Sequence, residues 1–128
     1  MALVKQFDQY IALDTLHVNG KLTLGENIGD LCGLTVAYQA FKKTAQAKAN
    51  QLIDGLTPDQ RFFLSYAVSW RKKQRDESLR SHVLTNEHSP AIFRVNGPLS
   101  NLEAFYNAFA IKEGDKMYRP VSDRIVIW

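Results

Sequence analysis

The chain has 128 residues, 45% hydrophobic and 23% charged, the make-up of one globular domain, and this excludes a disordered or fibrous polymer. Sixteen Lys and Arg against thirteen Asp and Glu give a net charge of +3; the excess is mostly dispersed, whereas a nucleic-acid binder gathers it on one surface. The one cysteine, Cys32, excludes an internal disulfide, and no run approaches the ~20 apolar residues of a membrane span. A lone cysteine suits a reducing compartment and equally an exported bacterial protein without disulfides. Lys5, Gln6, Asp8 and Gln9 make residues 1–13 too polar for a signal peptide.

Residues 1–24 carry a weak helical pattern in Phe7, Tyr10 and Ile11, with a turn at Gly20. Three later helix starts share one local grammar, a hydroxyl residue followed three positions on by Glu or Gln. Each side chain can then satisfy an orphan amide of the first turn: Thr23 with Glu26, Thr57 with Gln60, Ser100 with Glu103. The first start opens a run with Ile28, Leu31, Leu34, Tyr38 and Phe41 at helical spacing. Cys32, Val36 and Ala37 widen the stripe until most of the circumference is apolar, so this helix should be central. Gly29 and Gly33 each cost it about 1 kcal/mol relative to Ala, which makes sense where another backbone or a ligand comes close. After Phe41 the composition reads as a solvated helix end.

The second helix begins at Pro58 and carries Phe62, Phe63, Tyr66, Ala67 and Trp70 on one side. Its end is basic, with Arg71, Lys72, Lys73 and Arg75, as suits the negative end of a helix dipole. Asp76 caps a short third helix through Leu79 and Val83, which His88-Ser89-Pro90 breaks. Residues 93–95 read as a short extended piece, Asn96-Gly97-Pro98 as a turn, and residues 100–109 as a last amphipathic helix. The tail from Gly114 is irregular and ends in alternating residues 124–128. The fold class expected is mainly α, with little β structure.

Glu26 and Asp30 lie four apart on a largely apolar helix, so two carboxylates share one face. Glu26 closes a capping box with Thr23, or it donates an oxygen to a metal while Asp30 orients a histidine ligand; local spacing does not decide. His88 and Arg94 sit on a loop and the element after it. They pack and pair there, or they stabilise an oxyanion and grip a peptide carbonyl.

Taken in order, residues 18–30, Phe62-Phe63-Leu64 through Trp70, His88-Ser89-Pro90, Phe93-Arg94-Val95-Asn96-Gly97 and the terminal Trp128 resemble the C-terminal end of the neprilysin-like zinc metallopeptidases. The resemblance implies the helical C-terminal part of a thermolysin-like (gluzincin) catalytic domain, with residues 1–128 a single domain lacking the H-E-x-x-H helix. It makes Glu26 the third protein ligand of a catalytic zinc and Asp30 the carboxylate that orients one histidine ligand. It makes His88 the donor to the oxyanion of the tetrahedral intermediate and Arg94 the contact to substrate backbone beyond the scissile bond. Trp70 would line the primed-side pocket, with Ser69 beside it smaller and more polar than the apolar residue neprilysin carries. Gly29 and Cys32 stand where the family's usual run has Ala and Gly. Asn86 stands where some members have an acid, which leaves the orientation of His88 open. Cys32, among Leu31, Leu34 and Val36, reads as an inert core thiol.

A peptidase of this kind needs H-E-x-x-H, and none of His17, His82 and His88 begins that motif. The chain alone is therefore expected to bind little Zn2+ and to be inactive, with the metal helix and general base upstream. Its expected partners are peptide substrates in the intact parent, the upstream part of the same catalytic domain, and no nucleic acid. A second copy is expected too, through an exposed apolar face. The chain names no compartment; the resemblance implies an exported parent, periplasmic or membrane-anchored, in a bacterium. The competing reading is a non-catalytic helical interaction or regulatory module.

Overall fold

A computed structural model describes residues 1–127, so the terminal Trp128 of the resemblance lies outside the described residues. Helix α1 (Ala2–Asp8) leads into a hairpin of β1 (Ile11–Leu13) and β2 (Leu16–His17), then the long α2 (Leu24–Lys42). Next come α3 (Ala45–Ala49), α4 (Pro58–Ser69), α5 (Asp76–Thr85), α6 (Ala91–Leu99) and α7 (Glu103–Phe109), with one 3-10 turn at Val121–Asp123. The mainly helical class is as the sequence implies.

Two apolar clusters hold the helices. Leu34 of α2, Phe63 of α4, Val95 and Leu99 of α6, and Phe105 and Tyr106 of α7 form the larger one. Tyr38 stacks on Phe63 with centroids 5.1 Å apart, and Phe105 meets Phe63 edge-on at 5.7 Å. Such pairs add roughly 0.5–1.5 kcal/mol beyond their burial. The smaller cluster, Leu3, Phe7 and Val18, seats α1 against Ile28, Phe93 and Ile125. Buried Gln6 ties it to α6, donating to the Gly97 carbonyl at 3.0 Å and accepting from Asn101 at 2.9 Å.

Several local expectations give way to tertiary competition. Thr57 and Gln60 form the full capping box. Thr23 does not: its hydroxyl donates to the Asn19 carbonyl and accepts from Asn27, leaving Glu26 free of the cap. Ser100 belongs to the end of α6, and α7 starts at Glu103 after Leu102. Asp76 is the first residue of α5 rather than its cap, and the basic run lies past the end of α4 in non-helical residues 71–75. The solvated end of α2 breaks at Thr44, which caps the separate α3. Among the described residues the tail, 124–127, pairs with no strand; the Ile125 amide instead donates to the Asn101 side chain at 3.0 Å, and Arg124 lies 3.6 Å over the Tyr106 ring.

Residues 93–98, expected as an extended piece and a turn, are helical. Pro98 removes the amide that would bond the Arg94 carbonyl, and the Tyr66 hydroxyl donates to that carbonyl instead, at 2.8 Å. Close backbone approach occurs at Gly20 and Gly97, whereas a Cβ at Gly29 or Gly33 meets nothing within 4 Å. A Cβ at Gly97 would stand 2.5 Å from Cζ of Phe7, a ring with no exposed surface. Gly97→Ala is expected to lower unfolding free energy by about 1–3 kcal/mol despite its better helix propensity, as urea denaturation would register.

Candidate active site

Helix α2 supplies two carboxylates one turn apart, Glu26 in its first turn and Asp30 after it. Arg94 of α6 reaches across and grips Asp30 with the Nε edge of its guanidinium, Nε to Oδ2 at 2.6 Å and Nη2 to Oδ1 at 2.7 Å. The paired side chains are only 14% and 10% exposed. These bonds, working against burial, push the guanidinium above its ordinary pKa. The guanidinium also lies 4.1 Å over the Trp70 ring, and its Nη2 stands 3.5 Å from Glu26 Oε2.

His88 closes the arrangement, with Nε2 at 3.0 Å from Glu26 Oε2. Its other nitrogen, Nδ1, lies 2.9 Å from Asn86 Oδ1, an oxygen that already accepts the His88 amide. Asn86 thus orients the ring, and both ring nitrogens face acceptor oxygens.

The loop bearing His88 is fastened from beneath. Ser89, 1% exposed, donates to Asn27 Oδ1 at 2.8 Å; Asn27 donates to Thr23, and Thr23 to the Asn19 carbonyl. His82 Nε2 lies 2.8 Å from the His88 carbonyl. This buried chain joins α2 to the loop, which is why Glu26 and His88 meet. Asn27, Tyr66 and His82 escaped the sequence reading. Asn27 lay beside Glu26, and Tyr66 lay one turn before Trp70; their contacts to Ser89 and to the Arg94 carbonyl, and that of His82 to the His88 loop, join segments that no spacing rule pairs.

Ser69, Trp70, His88 and Arg94 line one cleft of about 430 Å³, with Arg71 and Lys72 at its rim. All six predicted site residues therefore converge, Glu26 and Asp30 through their contacts to His88 and Arg94. Cys32 is a half-buried free thiol. Among the described residues no group of three or more His, Cys, Asp or Glu could hold a metal. Glu26 by itself offers what one corner of a zinc site needs, an anionic oxygen on a partly exposed side chain, and the groups now facing that oxygen are a cation and an imidazole.

The profile of peptidase family M13 matches residues 1–125. An endothelin-converting enzyme homolog of Locusta migratoria is 42% identical over 118 residues, 90% of this chain and 16% of that protein. Neprilysin-11 of Caenorhabditis elegans is 42% identical over 112 residues, 84% of this chain and 13% of that protein. The crystal structure of a Mycobacterium tuberculosis zinc metalloprotease in complex with an inhibitor superposes with a TM-score of 0.89 at 38% identity, covering 99% of this chain and 20% of the other. The chain belongs to peptidase family M13. It spans about a sixth of the length of the locust relative.

Tyr66 supplies a pH signature for this region. Burial, then the charge of Asp30, pushes its phenol up to about 12, and burial followed by Asp59 does the same for Tyr38. Between pH 10 and about 12 the unfolded phenols lose protons that the folded ones keep, so stability should fall as pH rises through that window. Tyr66→Phe should weaken the dependence in urea denaturation series between pH 9 and 12, while lowering stability at pH 7 by roughly 1–2 kcal/mol through the unpaired Arg94 carbonyl.

Proposed function

We propose that this chain is the C-terminal segment of a zinc-dependent endopeptidase or oligopeptidase, and that it supplies a zinc ligand and the groups that hold substrate and transition state. The observation that carries the reading is the meeting of Glu26, His88 and the Asp30–Arg94 pair at a cleft walled by Ser69 and Trp70. Glu26 would hold the zinc, together with ligands from an upstream H-E-x-x-H helix. When bound, zinc supplies a Lewis acid for the scissile carbonyl and a nucleophilic water at neutral pH.

The chain's own residues do the rest. Asp30 accepts one Arg94 bond on each oxygen, so each oxygen keeps capacity for a second donor, such as the ring N–H of a histidine ligand. His88, held by Asn86, presents Nε2 as an N–H donor to a developing oxyanion once Glu26 turns to the metal. Arg94 spends its Nε edge on Asp30 and keeps further N–H groups for a substrate carbonyl, while Trp70 and Ser69 bound the space for the side chain that follows the cleaved bond.

Alone, the chain lacks the general base and two metal ligands, so it would neither hold zinc tightly nor cut peptides. The open face of α2, with Gly29, Gly33 and Val36, would be covered by the upstream part of the domain, and without that part it favours self-association.

In the full-length protein, Glu26→Ala should lose zinc by elemental analysis at unchanged circular dichroism; equal metal content in variant and wild type would refute the ligand role. His88→Ala should keep its zinc and lower kcat by about 10²- to 10³-fold, measured on a fluorogenic peptide.

A further inference from the structure

Trp70 lines two clefts. One is the site cleft of about 430 Å³; the other, of about 720 Å³, has Val68 and Ile92 in its wall. Arg71 and Lys72 line both, and Lys73 lines the larger. Among the described residues the lining of both clefts includes no Asp or Glu; Glu26 and Asp30 stand behind His88 and Arg94 and are engaged by them. The site's own cation is already matched, since Arg94 is bound by Asp30 and faces Glu26. Arg71, Lys72 and Lys73 differ: among the described residues none of them has a carboxylate within ion-pair distance. The carbonyl end of α4 beside them offsets roughly half a charge, less than any one of these cations. Because α4 stops at Ser69, the run continues as non-helical backbone along the cleft rim.

We propose that Arg71 and Lys72 form a cationic rim that makes the Trp70 side of the cleft select peptides carrying a carboxylate next to an apolar residue. The apolar side chain packs on Trp70, and the carboxylate, from an acidic side chain or from the peptide's C-terminus, lies against the two cations. The preference rests on the peptidase reading for its substrate class, and the charge of the rim predicts it whether or not the bound peptide is cut. Exposed cations are partly screened, so the selection is modest and salt-dependent.

The test uses dansyl peptides of Ala and Leu containing one Glu or, in its place, one Gln, each with a free and an amidated C-terminus. Kd for the full-length protein is measured by fluorescence at low and high salt, and hydrolysis is followed in parallel. The amidated Glu peptide, or the free-acid form over the amide, should bind about tenfold tighter at low salt, and salt should erode the gap. The first result assigns the rim to a side-chain carboxylate, the second to the chain terminus. R71Q/K72Q should bring the ratio to about one, and K48Q, on α3, should retain it. Equal affinities in the wild type, binding of none of the peptides, or a ratio that survives R71Q/K72Q would overturn the proposal. A tenfold ratio without hydrolysis of any peptide would sink the peptidase reading and leave the anion preference standing.

Discussion

The two-pronged bond between Arg94 and Asp30 is the constraint on which the site's geometry depends. It joins α2 to α6 across 64 residues of sequence, at 2.6 and 2.7 Å, where both side chains are largely withdrawn from water. Desolvating such a pair cancels much of its attraction, so its net contribution to stability is small; removing one member would strand the other and costs about 3–5 kcal/mol. Its main effect is on register. A planar fork on a carboxylate admits few relative positions of the two helices, and the Trp70 ring beneath the guanidinium narrows them further.

Around that pair two polar obligations created by burial are met by distant segments. The amide missing at Pro98 leaves the Arg94 carbonyl without its helical partner, and Tyr66 meets it from α4. The Asn19, Thr23, Asn27 and Ser89 relay does the same for the loop carrying His88, so that the ring meets Glu26. These bonds cross between segments far apart in sequence. They also hold the site residues on helices and on a fastened loop, which keeps the geometry before any ligand arrives.

How much was legible varied with the range of the forces involved. The long α2 and the aromatic α4 follow from helical spacing of apolar residues, and the Thr57 box from a pattern that closes within one turn. The hairpin was missed because strands of three and two residues carry no periodicity to read. Residues 93–98 were misassigned because Gly97 and Pro98 have turn chemistry, while the helix tolerates both: Gly97 makes room for Phe7, and Tyr66 satisfies the freed carbonyl. The same local pattern succeeded at Thr57 and failed at Thr23, where Asn19, Asn27, His88 and Arg94 compete for the two side chains.

By itself the sequence determined which residue types could do this chemistry, and that Glu26 and Asp30 share a helix face, because a turn of helix places residues four apart side by side regardless of surroundings. It also determined, through the order of its motifs, a resemblance specific enough to name a family. Only the tertiary structure decided that His88 and Arg94 stand against those carboxylates, that Asn86 sets the ring, and that Trp70 lies under the guanidinium. The reason is range: such contacts depend on how helices pack and on which buried donors and acceptors are left to pair, and those are settled by the whole fold at once rather than by any stretch of chain.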